Sequence, residues 1–70
     1  MFEVGDRGVL QVYTPLPYPM VETWPASIIK VTDSSIVVQY WDEYVDDYGD
    51  EHEVLRTTEI TENNPNVKFL

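Results

Sequence analysis

Trp24-Pro25-Ala26-Ser27-Ile28-Ile29-Lys30-Val31, then Thr32-Asp33-Ser34, then Ser35-Ile36-Val37-Val38-Gln39-Tyr40-Trp41 is the stretch that decides the fold. The second run is rich in β-branched and aromatic residues, which favour strands. Side chains alternate along a strand, so Ile36, Val38 and Tyr40 share one face, while Val37, Gln39 and Trp41 share the other. In the first run the same alternation groups Trp24, Ala26, Ile28 and Lys30. The three residues between them are short, polar and turn-forming. The whole stretch predicts an antiparallel hairpin.

Working outward, Gly5-Asp6 and Gly8 open an earlier strand over Gly8–Tyr13, and a short fourth strand fits Glu53–Arg56. Thr57-Thr58-Glu59-Ile60 reads as one helical turn near 57–60, with Thr as its cap and Ile60 as a plug. Asn63-Asn64-Pro65-Asn66 is turn chemistry, and Val67-Lys68-Phe69-Leu70 after it is either a closing strand or a tail. Thr14–Pro19 holds three prolines in six residues and reads as a stiff, extended connection. Four to five short antiparallel strands without an amphipathic helix imply an all-β fold, a small twisted barrel. The expected division is a barrel over 1–62 and a tail or closing strand over 63–70.

Seventy residues support one domain with a small core, and the absence of cysteine leaves it without disulfide or thiolate-metal support. No apolar run approaches the roughly 20 residues of a membrane span. The first ten residues carry Glu3, Asp6 and Arg7 rather than a signal-peptide stretch, so the expected location is intracellular, nuclear or cytoplasmic. Four Lys and Arg against 13 Asp and Glu give a net charge of −9. Such a field disfavours direct nucleic-acid binding and favours a basic protein partner, besides keeping the chain soluble. The charge concentrates between Asp42 and Glu53, a predicted loop with seven acids in twelve residues and no Lys or Arg.

Val4-Gly5-Asp6-Arg7, Trp24-Pro25-Ala26-Ser27-Ile28, Ile36-Val37-Val38-Gln39-Tyr40 and Asp47-Tyr48-Gly49-Asp50 follow one another in an order that resembles Tudor domains, members of the Royal family of SH3-like barrels. The resemblance runs from Val4 to about Ile60. It departs from the family pattern in the extra residues Trp41–Asp47, and in Asp50 where the motif ends in Asn. The resemblance implies an aromatic cage for methyl-lysine or methyl-arginine, with Trp24, Tyr40 and Tyr48 as walls and Tyr13 as a fourth. A methylated cation is held by the negative faces of such rings. Asp46, Asp47 and Asp50 would form an acidic rim able to pair with a remaining N–H.

Strand parity independently sets Trp24 beside Tyr40 at one mouth of the barrel, either as cage walls or as core plugs. Trp41 points the other way. Catalysis has little support: His52 is the only histidine, and it has no nucleophile context around it. Zinc lacks ligands, and the acidic loop does not match the EF-hand spacing. The chain therefore reads as a non-enzymatic interaction domain without metal or cofactor, binding a basic or methylated peptide through the cage. The alternative is a small acidic inhibitor, of the kind a phage encodes, that occupies a basic nucleic-acid-binding surface of a host protein. A third reading is recognition of unmodified protein through the hydrophobic sheet face.

Overall fold

The computed structural model describes residues 2–70, which form one five-stranded antiparallel sheet and no helix. Its strands are β1 (Arg7–Thr14), β2 (Met20–Val31), β3 (Ser35–Val45), β4 (Glu51–Thr61) and β5 (Val67–Phe69). Their spatial order is β4-β3-β2-β1-β5, and the sheet is not closed. At the open seam Ile60 of β4 and Val67 and Phe69 of β5 line, with Phe2, Val31 and Ile36, a cavity of about 510 Å³.

The β2–β3 hairpin lies at the centre, as its alternation predicts. Ala26 pairs with Tyr40 and Ile28 with Val38. The buried core is Leu10, Ala26, Ile28, Ile36 and Val38, all from the three inner strands. Val12, Trp24, Tyr40, Ile60, Val67 and Phe69 pack around it, half-buried. The N-terminal turn is tied to β2: the Gly5 amide donates to the Ile28 carbonyl (2.8 Å) and the Ile28 amide to the Asp6 carbonyl (2.9 Å). Gly5 has a φ of 96°, which favours glycine there.

Three expectations need correction. Lys30 does not share a face with Trp24, Ala26 and Ile28. A bulge between Ile28 and Lys30 leaves Ile29 without a partner, so Lys30 pairs with Val37 and Val31 with Ile36. An extra residue reverses the alternation beyond it. Thr57–Ile60 is not a helical turn but part of β4, pairing with Gln39, Val38, Val37 and Ile36. β-branched Thr suits a strand, and the extended form sets Ile60 against Ile36 on the core face. Asp42–Glu53 is not a loop throughout: β3 runs to Val45 and β4 starts at Glu51, so only Asp46–Asp50 turns.

β5 joins the sheet by pairing with β1, Leu10 with Phe69 and Val12 with Val67. Val9 and Leu70 exchange backbone hydrogen bonds of 2.9 Å in both directions. This close return depends on Gly8. A Cβ there would collide with the Leu70 carbonyl oxygen and stand 2.7 Å from the Phe69 ring. Gly8→Ala should push β5 off the sheet and destabilise the domain by about 1–3 kcal/mol, as overpacking does. Urea denaturation measures this, and an unchanged midpoint would mean that the seam yields freely.

Candidate functional site

The sheet forks at Trp24 and Tyr40. The β2–β3 pairing ends at Ala26↔Tyr40. Beyond it β2 continues with β1 alone, as far as Met20↔Thr14, and β3 continues with β4 alone, as far as Val45↔Glu51. Trp24 and Tyr40 fill the crotch with ring centroids 5.2 Å apart and planes tilted by 42°. Their adjacency follows from parity: Trp24 sits two residues before Ala26, on its face, and Tyr40 sits opposite Ala26.

The other two aromatic candidates lie elsewhere. Tyr48 is at the tip of the β3–β4 hairpin, 91% exposed. The five residue steps from Tyr40 to Val45 alone carry the chain about 17 Å away from the fork. Tyr13 pairs with Val21, one residue out of phase with the core-facing Val12, and so lies on the opposite face of the sheet. There it borders a cavity with Gln11, Val21, Pro65 and Lys68. The structure thus brings Trp24 and Tyr40 together and leaves Tyr48 and Tyr13 apart from them. A cation is already close by: Arg56 pairs with Tyr40 across the strands, and its Nε donates to Asp42 Oδ2 at 3.0 Å.

The rim acids divide in the same way. Asp46 organises the hairpin turn. Its Oδ1 accepts from the Tyr48 amide (2.9 Å) and the Asp50 amide (3.0 Å), and its Oδ2 lies 2.7 Å from His52 Nε2. Gly49, with a φ of 85°, closes the turn by donating to the Asp46 carbonyl. The His52 hydrogen bond, then the Asp50 amide, hold the Asp46 carboxyl below its ordinary value. The side chains of Asp47 and Asp50 are exposed and have no hydrogen-bond or ion-pair partner among the described residues.

Beyond the fork, β3 and β4 form a two-stranded arm with two different faces. On the core side are Tyr40, Asp42 and Tyr44 opposite Arg56, Val54 and His52. This side is internally matched, with Asp42 on Arg56 and the Tyr44 ring stacked on His52 at 5.1 Å. On the outer side are Trp41, Glu43 and Val45 opposite Leu55, Glu53 and Glu51. Trp41 is 60% exposed and Leu55 45%. Glu43 faces Glu53 directly, a like-charge cross-strand pair that destabilises the arm. Glu43, Glu51 and Glu53 have no cationic partner among the described residues. A shallow cavity of about 280 Å³, bordered by Arg7, Pro25, Gln39, Trp41 and Leu55, adjoins this face.

Sequence reasoning missed this outer face, because a predicted loop has no register. The signal was Asp47-Tyr48-Gly49-Asp50 as a hairpin turn, which sets Trp41 on Leu55 and Glu43 on Glu53. Among the described residues, no group of three or more His, Asp or Glu could hold a metal ion. Comparison of the chain with protein-family models, with curated proteins and with solved structures gives no match.

Because the Asp46 carboxyl is held low in the folded turn, its stabilising contribution is full above the ordinary carboxylate range. It is lost as pH falls through the lowered folded value. The Tyr48 and Asp50 amides should therefore lose NMR protection only on strong acidification. In Asp46→Ala they should be unprotected already at neutral pH. Protection unchanged in that variant would show that Gly49 and the strand ends hold the turn unaided.

Proposed function

We propose that this chain is a non-enzymatic interaction domain that uses its acidic β3–β4 arm to dock on a basic surface of another protein. The observation that carries this reading is the outer face of the arm. Glu43, Glu51 and Glu53 lie unneutralised beside the exposed Trp41 and Leu55, with Glu43 and Glu53 in direct register. Cations from a partner relieve that repulsion, and the Trp and Leu supply the apolar anchor that charge alone lacks. The −9 net charge speeds encounter with such a partner and repels nucleic acid. A basic surface that otherwise takes phosphates belongs to this class, so an inhibitor of a nucleic-acid-binding protein is one form the function takes. The strand order, with β5 returning to pair with β1, supports an SH3-like, Tudor-like reading of the fold.

The methyl-cation reading rests on Trp24 and Tyr40 alone, whose tilted rings sit at the fork. Arg56, ion-paired with Asp42, is the cross-strand neighbour of Tyr40. A methylated cation at the fork would meet repulsion from this guanidinium.

A lysine-rich peptide, titrated in unmodified and trimethylated forms, separates the two readings. With arm docking, both forms bind alike, Glu43→Gln/Glu51→Gln/Glu53→Gln weakens binding about tenfold and flattens its salt dependence, and Trp24→Leu changes little. A strong preference for the methylated peptide that Trp24→Leu abolishes would overturn arm docking in favour of the fork.

A further inference from the structure

We infer that the occupant of the arm is an extended basic segment that adds to the sheet as a sixth strand along the free edge of β4; this rests on the arm-docking reading above. β4 is at the end of the sheet order and is hydrogen-bonded to β3 alone. Its stretch Glu51–Thr57, away from the seam with β5, offers unpaired N–H and C=O groups and contains no proline or lysine. Charged residues also guard an edge, and here Glu51 and Glu53 do so selectively, against every strand but a cationic one. Strand addition to such an edge draws affinity from main-chain hydrogen bonds and specificity from alternate side chains.

Those alternate side chains define the occupant. Glu51, Glu53 and Leu55 project on the outer face of β4, and His52, Val54 and Arg56 on the core side. An antiparallel strand therefore needs an apolar residue beside Leu55, whose other side is covered by Trp41. It needs Lys or Arg two and four positions later, beside Glu53 and Glu51, and uncharged residues between them. A second copy of this chain is a poor occupant, because it would bring two chains of −9 net charge together and gather Glu51 and Glu53 of both on one sheet face. The acids reject self-pairing and accept a cationic strand.

The probe is a seven-residue threonine peptide with isoleucine at its third position and lysine at its fifth and seventh, titrated against the full chain and followed by amide NMR. Binding should shift and protect alternate β4 amides. The same peptide N-methylated on its backbone should bind about tenfold or more weakly, since each lost main-chain bond contributes. Glu51→Lys/Glu53→Lys should reject the lysine peptide and accept its glutamate counterpart. Equal affinity for the methylated and unmethylated backbones would overturn strand addition while leaving charge-driven docking intact. No binding of either would overturn both. A dimer of the free chain in sedimentation, built through β4, would replace the basic strand with a second copy.

Discussion

The stacking of Ile28, Val38 and Leu10 is the constraint on which the rest of the molecule depends. These three are the largest fully buried side chains among the described residues, contributed by the three adjacent inner strands. A domain of this size buries too little surface to tolerate a second, independent core. The register that joins them places Ala26 under Tyr40 and Trp24 over Leu10, so the fork is where the core ends. β4 and β5 are then held mainly by their pairing with β3 and β1, which explains why the seam between them stays open.

The molecule carries two solutions to the same electrostatic problem. On the core side of the arm the strand acid Asp42 is met by Arg56, and in the turn Asp46 is met by His52 and two backbone amides. On the outer side no strand acid is so met. Exposed pairs are weak in water, so the matched side adds little to stability and serves chiefly to orient the arm. The unmatched side carries a repulsion that folding alone gives no reason to keep. That asymmetry, more than the total charge, is the basis of the docking proposal.

How far the sequence was legible followed from whether the deciding interaction was local. The central hairpin was readable because its polarity alternates and its turn is contiguous. Lys30 was misplaced because the Ile28-Ile29 doublet carries no local mark of a bulge; the irregularity shows only against β3. Thr57–Ile60 has respectable capping chemistry, and its partner strand lies some twenty residues earlier in the chain. The acids between Asp42 and Glu53 read as a loop because acidic residues disfavour strands, whereas Trp41, Tyr44, Val54 and Leu55 favour them once paired. Trp24 beside Tyr40 could be deduced from parity. Tyr48 could not be placed that way, since its position depends on how many residues the arm holds.

The fork also grades the molecule by firmness. Below it, each inner strand has neighbours on both sides and a buried face. Above it, the arm is a two-stranded ribbon, and such ribbons are marginal in water by themselves. Opening of the arm exposes little apolar surface, so it proceeds at a small fraction of the global unfolding free energy. Hydrogen exchange would accordingly run from fast at Val45 and Glu51 to slow at Val38. The acidic arm is a compliant lever on a rigid base, able to change its angle without disturbing the core.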